Sequence, residues 1–219
     1  MRVDRLNVAG ATALYPKVNR DHRGHFVTTY STAQAERPPT AHDSEPSMSD
    51  FPIAQVSHSR SRRGIARGIH FTTAPPGCAK LVWCTAGAAL DFVVDLRVDS
   101  PTFGAWDQVT LDPEQGCVLS LPVGLGHGYV ATVDDTVMTY LLSTTYVPEH
   151  EQALAFTDPD LALPVTADAE MSERDTSAPT LREWESRGGL PEFGECQRID
   201  DELRAQLSHQ TVTSASLRQ

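Results

Sequence analysis

Leu90-Asp91-Phe92-Val93-Val94-Asp95-Leu96-Arg97 alternates regularly enough to decide the fold class. Leu90, Phe92, Val94 and Leu96 share one face of an extended chain; Asp91, Val93, Asp95 and Arg97 share the other. The stretch is a strand, and its neighbours repeat the theme. Upstream, Lys80-Leu81-Val82-Trp83-Cys84 reads as a strand closed by Ala86-Gly87. Downstream, Ser100-Pro101-Thr102-Phe103-Gly104 is a connection, and Trp106 to Leu111 is a strand ended by Asp112-Pro113. Val118 to Leu121, Tyr129 to Val133 and Val137 to Leu142 follow, with an Asp134-Asp135 turn before the last. Short strands at regular spacing predict an all-β sandwich or jelly-roll barrel of antiparallel strands, not a parallel α/β sheet.

The flanks are weaker. Residues 1 to 36 hold short apolar pieces, then the Asp21-His22-Arg23-Gly24 turn, with Phe26 to Tyr30 as a strand leaving it. Residues 35 to 52 are rich in Pro, Ser, Thr and Asp and read as a mobile loop; Ile53 to Ser61 alternates again. The core ends near Leu163-Pro164-Val165. Residues 1–165 therefore form the β domain. Residues 166–219 read as an acidic linker, short helices around Leu181 to Ser186 and Arg198 to Leu207, and ten disordered terminal residues.

Composition sets bounds on function. The chain has 219 residues, 40% of them hydrophobic and 21% charged, with a net charge of -11. That surface repels nucleic acid and anionic membranes. No apolar run approaches the about 18 residues of a membrane span. Cys78, Cys84, Cys117 and Cys196 are scattered, which predicts reduced thiols in a cytoplasmic protein.

The chemistry concentrates in Gly64-Ile65-Ala66-Arg67-Gly68-Ile69-His70, with Lys80 close behind. His70, Lys80, His127 and Tyr140 lie on β elements, and Asp158 sits in a later turn. A base, an acid, a cation for an oxyanion and a carboxylate to orient an imidazole suit proton abstraction beside a carbonyl. Each residue also has a structural alternative. His70 and Tyr140 suit a hydrogen-bonded core, Lys80 a solvated edge and Asp158 a turn before Pro159. Asp91 and Asp95 are alternatively ion-pair partners of Arg97. A metal site would need more ligands than His70 and His127, and no H-x-H pair stands on the strands.

Several motifs together resemble the dTDP-4-dehydrorhamnose 3,5-epimerases, a cupin-fold family of nucleotide-sugar enzymes. They are Asp21-x-Arg23-Gly24-x-Phe26, Gly64-x-x-Arg67-Gly68-Ile69-His70-Phe71, Lys80-Leu81-Val82, Asp91-x-x-x-Asp95-x-Arg97, Gly126-His127-Gly128 and Asp158-Pro159. The resemblance implies a cupin-type jelly roll acting on a dTDP-4-keto-6-deoxyhexose in deoxysugar biosynthesis. It implies no metal and no organic cofactor. His70 matches the base, paired with Asp158; Tyr140 matches the acid and Lys80 the residue at the carbonyl oxygen. Arg67 and His127 match substrate contacts, as do Gln55 and the Ser57 position. Arg23 and Phe26 match a segment exchanged across a homodimer, Phe26 being placed to stack on thymine. Thr28, Ser57, Thr72 and Ser120 depart from the usual residues on the substrate side. Those departures resemble the secondary-metabolite branch, in which some members invert carbons 3 and 5 and others only one. The remaining alternatives are a metal-dependent cupin enzyme and a non-catalytic sugar-nucleotide binding module.

Overall fold

The structure is a computed structural model that describes residues 1–31, 51–166 and 168–216, with side chains described to residue 207. Strands run β1 Arg2–Arg5, β2 Thr12–Tyr15, β3 Asn19–Asp21, β4 Gly24–Phe26, β5 Gln55–Ser61 and β6 Ala66–Thr72. Then come β7 Lys80–Ala86, β8 Ala89–Asp95, β9 Trp106–Leu111, β10 Val118–Leu121, β11 Leu125–Ala131, β12 Thr136–Leu142 and β13 Glu151–Ala153. Three helices close the chain: α1 Glu173–Thr176, α2 Leu181–Arg187 and α3 Phe193–Ser216. A six-stranded sheet of order β1-β2-β10-β7-β12-β5 faces a five-stranded sheet of order β13-β6-β11-β8-β9. Pairing within both is antiparallel, as the regular strand spacing predicts.

The alternation in β8 sorts its side chains as expected. Val93 enters the core between the sheets with Val82, Leu119, Tyr129 and Met138. Phe92, Val94 and Leu96 point outward, where Phe156, Leu161, Leu181 and Leu190 cover them. The outer face of the other sheet is covered too. Leu81, Trp83 and Leu141 pack against Cys196 and Ile199 of α3. Central strands buried on both faces need apolar side chains throughout, which explains the uninterrupted Leu81-Val82-Trp83-Cys84. Asp95 ends β8 inside a closed shell. It accepts from Arg97 Nε and Nη2, both at 2.8 Å, and from the Ser100 and Thr102 hydroxyls, both at 2.6 Å. That is why the Ser100 to Gly104 connection carries hydroxyls.

The C-terminal segment differs from the expected linker. Ala66 and Glu170 pair through their backbones, as do Glu170 and Gly64, so this stretch lies along β6. Ser172 caps α1, and Thr180 with Glu183 forms a capping box on α2. The apolar faces of both sheets recruit these elements, since exposed they would cost about 25 cal/mol per Å². α3 extends through most of the stretch read as disordered; residues 217–219 lie outside the described residues. The mobile loop expected over residues 35 to 52 falls almost wholly outside them as well. The strand expected over Phe26 to Tyr30 does not form: the observed strand, β4, ends at Phe26, and residues 27–30 are irregular. Among the described residues, no helix is long and apolar enough to cross a membrane.

Gly68 positions the site. Its φ is +111°, and a Cβ there would stand 2.6 Å from the Gly128 Cα and the His127 carbonyl oxygen. β6 thus lies hard against β11 between His70 and Arg67. Gly68→Ala is expected to lower stability by about 3 kcal/mol or more, combining backbone strain with a backbone clash. Thermal unfolding measures it; an unchanged midpoint would mean that the two strands part freely.

Candidate active site

One cavity of about 330 Å³ opens between the two sheets. His70 and His127 come from the five-stranded sheet and stand opposite each other in the β6–β11 register. The six-stranded sheet supplies the facing wall. Lys80 pairs with Leu142 across β7 and β12, and Tyr140 lies two residues from Leu142, hence on the same face. Gln55 and Ser57 of β5 and Arg67 of β6 also line the cavity. Lys80 is only 8% exposed, so an ammonium there acts in a low-dielectric setting.

The imidazole of His70 has a carboxylate partner, and it is Asp175. Nε2 lies 2.7 Å from Asp175 Oδ1. Burial by itself would push the Asp175 carboxyl up. Hydrogen bonding and charge from His70, with help from Ser172 and the Gly68 N–H, outweigh it and hold the group below its usual range. An ionised carboxylate only accepts, so Nε2 carries the ring proton and Nδ1 keeps its lone pair. That is the tautomer of a base.

Asp158, expected in this role, does other work. Its Oδ1 accepts from the N–H groups of Asp160 and Leu161, and its Oδ2 from the Leu181 N–H at 2.7 Å. It satisfies the first turn of α2, whose orphan N–H groups favour a buried acceptor. Both oxygens are thereby engaged away from His70. The capping pattern Ser172-x-x-Asp175 was the sequence signal for a short helix here; the acidic composition of the stretch masked it.

A second imidazole–carboxylate pair lies deeper. His127 Nε2 meets Asp91 Oδ2 at 2.8 Å, and both side chains are buried. Burial pushes the Asp91 carboxyl up, and the His127 charge opposes that shift. The His127 ring stands edge-on to Tyr140, with centroids 6.1 Å apart. Burial raises the Tyr140 phenol well above its usual range, and neighbouring Tyr129 adds to this; a hydrogen bond from Ser59 opposes it. Tyr140 therefore holds its proton throughout the neutral range, as an acid must.

Arg23 and Phe26 are elsewhere in this chain. Both belong to the β3–β4 hairpin, where Arg23 pairs with Asp21 and Phe26 is 69% exposed. Tyr129 and Tyr146, not singled out in the sequence, also line the cavity. Among the described residues, no three His, Cys, Asp or Glu side chains gather as a metal site requires.

A family model described as dTDP-4-dehydrorhamnose 3,5-epimerase matches residues 5–183. The chain belongs to that family. It is an isomerase of the epimerase type, and the matched span includes the segment that carries Asp175. The epimerase is 40% identical over 190 residues to a dTDP-4-dehydro-6-deoxyglucose 3-epimerase from a Streptomyces species, covering 86% of this chain and 93% of that one. It is 37% identical over 207 residues to the dTDP-4-dehydrorhamnose 3,5-epimerase of Mycolicibacterium smegmatis, covering 94% and 99%. Among solved structures, ChmJ, a 3'-monoepimerase from Streptomyces bikiniensis in complex with dTDP-quinovose, superposes with a TM-score of 0.80 at 39% identity. That likeness covers 91% of this chain and 98% of ChmJ.

Proposed function

We propose that the epimerase inverts carbon 3, carbon 5 or both of a dTDP-4-keto-6-deoxyhexose. The observation that carries this reading is the His70–Asp175 pair sharing one cavity with Lys80 and Tyr140. The 4-keto group acidifies the hydrogens on its neighbouring carbons. His70 Nδ1 takes one, and the C–H electron pair moves into an enolate. The Lys80 ammonium stabilises the enolate oxygen. The carbonyl then re-forms as Tyr140 delivers its proton to the opposite face of the carbon. His70 afterwards loses a proton and Tyr140 regains one, so the reaction is proton-neutral. Arg67, an exposed residue at the cavity wall, suits the diphosphate. The exposed Phe26 hairpin supports a homodimer in which Arg23 and Phe26 cover the partner's nucleotide. Light scattering tests that pairing.

Proton NMR of dTDP-4-keto-6-deoxyglucose with enzyme in heavy water tests the reaction. Signal loss at carbons 3 and 5, with a changed product configuration, identifies a double epimerase. Loss at carbon 3 alone is the second reading, favoured by relatives named 3-epimerases. No exchange at either carbon refutes the proposal. Tyr140→Phe is expected to slow inversion by about 10²-fold or more; inversion at the wild-type rate would show that another group is the acid.

A further inference from the structure

Tyr140 stands at the end of a chain of hydroxyls. Ser59 Oγ lies 3.4 Å from Tyr140 Oη and 2.9 Å from Tyr129 Oη. Tyr129 Oη in turn lies 2.9 Å from Ser61 Oγ. Arg67 Nε, at 3.0 Å, donates to Ser61 Oγ. β5 brings the two serines to one face by alternation, while Tyr129 reaches across from the other sheet.

A guanidinium has donors and no acceptor, so the first link has only one direction. Each hydroxyl has one hydrogen to give. Ser61 accepts from Arg67, and its hydrogen goes to Tyr129. Were it to accept from Tyr129 as well, a hydrogen buried in a 4% exposed residue would lose its partner. Tyr129, 1% exposed, must then donate to Ser59. Ser59 still has its own hydrogen to give, and the Tyr140 hydroxyl lies within its reach. The Tyr140 oxygen receives a hydrogen from behind, and its own proton is left to point elsewhere, into the cavity.

We propose that Arg67, acting through Ser61, Tyr129 and Ser59, fixes the direction of the Tyr140 proton and stabilises the tyrosinate left after delivery. This rests on the reading of Tyr140 as the acid. Ser59, Tyr129 and Ser61 are positioning residues. The longest link is the one to Tyr140, where charge develops; an ionised acceptor draws an O–H donor in to about 2.5–2.7 Å. The chain therefore tightens in the product-forming step and not in the ground state, which is the condition for accelerating it.

The experiment separates proton removal from proton delivery. Substrate dTDP-4-keto-6-deoxyglucose is turned over in heavy water, and NMR follows deuterium entering recovered substrate of unchanged configuration, relative to inverted product. His70 still removes protons when delivery is slow, so breaking the chain should raise this ratio. Ser61→Ala, a change outside the cavity wall, is expected to raise it about tenfold. Ser61→Thr keeps the hydroxyl and should restore the wild-type ratio. Tyr129→Phe breaks the chain at its middle and should act in the same direction, so the test survives if one variant folds poorly. Wild-type ratios in both Ser61→Ala and Tyr129→Phe would overturn the inference. Tyr140→Phe distinguishes the two levels: if it inverts at the wild-type rate the acid assignment fails, whereas a high ratio in Tyr140→Phe alone removes only the hydroxyl chain.

Discussion

Asp175→Asn should turn over on the order of 10³-fold more slowly than the wild-type enzyme, with a small change in KM. That is about 4 kcal/mol of transition-state stabilisation. The substitution keeps shape and volume but replaces an acceptor by a group that also donates. Aspartate at 2.7 Å compels His70 to carry its proton on Nε2. The asparagine NH₂ donates to Nε2 instead, and the ring proton moves to Nδ1, the atom proposed to accept from the sugar. The lost charge also ceases to stabilise the imidazolium that forms. Because the Asp175 carboxyl is held low, it stays an ionised acceptor for Nε2 across the neutral range. Asp158→Asn is the informative control. Its carboxylate caps α2, so the cost should fall on thermal stability, about 1 kcal/mol, with kcat nearly intact. Steady-state kinetics on both variants decide the matter. A full-rate Asp175→Asn enzyme would remove the dyad from the mechanism.

Arg97→Met should cost about 3–5 kcal/mol of folding stability while leaving the cavity walls in place. Asp95 and Arg97 are both buried, with side chains 0% and 3% exposed. Removing the guanidinium strands a carboxylate that burial already disfavours. Arg97 also binds two further parts of the fold: its Nη2 donates to the Ala9 carbonyl at 2.7 Å, and its guanidinium lies over the Phe193 ring at the start of α3. The thermal midpoint should fall by about 10 °C. Acid provides a second check. Burial pushes the Asp95 carboxyl up, but Arg97, Ser100 and Thr102 together hold it below its usual range. A group whose folded pKa is depressed contributes stability that is complete above its unfolded value, about pH 4, and disappears as pH falls through the folded one. The gap between wild type and Asp95→Asn should therefore be full at pH 7 and shrink below about pH 4. A gap independent of pH would show that the carboxylate charge is irrelevant to the fold.

Much of the site was legible because it lies on strands. A period of two assigns each residue to a face, so the pattern in Leu90 to Arg97 put Val93 in one core and Phe92 in another. The motif around His70 and the position of Tyr140 on an apolar strand place both in one cavity once two sheets are stacked. The carboxylate partner was not legible. Asp158 and Asp175 both sit after the barrel in turn-rich sequence, and choosing between them needs the path of the chain in space. The structure makes that choice through the backbone pairing of Glu170 along β6, which carries α1 back to His70. The hydroxyl chain was invisible for a similar reason, since Ser59 and Ser61 meet Tyr129 only across the gap between sheets.

By itself the sequence determined the fold class, the antiparallel strands and the family, because alternation and local motifs are properties of neighbouring residues. It also carried the base, the acid and the cation as candidates. Only the tertiary structure decided which carboxylate pairs with His70, that Asp158 and Asp95 serve the scaffold, and that the segment after residue 165 closes the outer face of the barrel. Those decisions depend on hydrogen-bond partners many positions apart, such as His70 and Asp175. Local pattern holds no record of such pairs; they are selected when buried polar groups must all find partners in one packed arrangement.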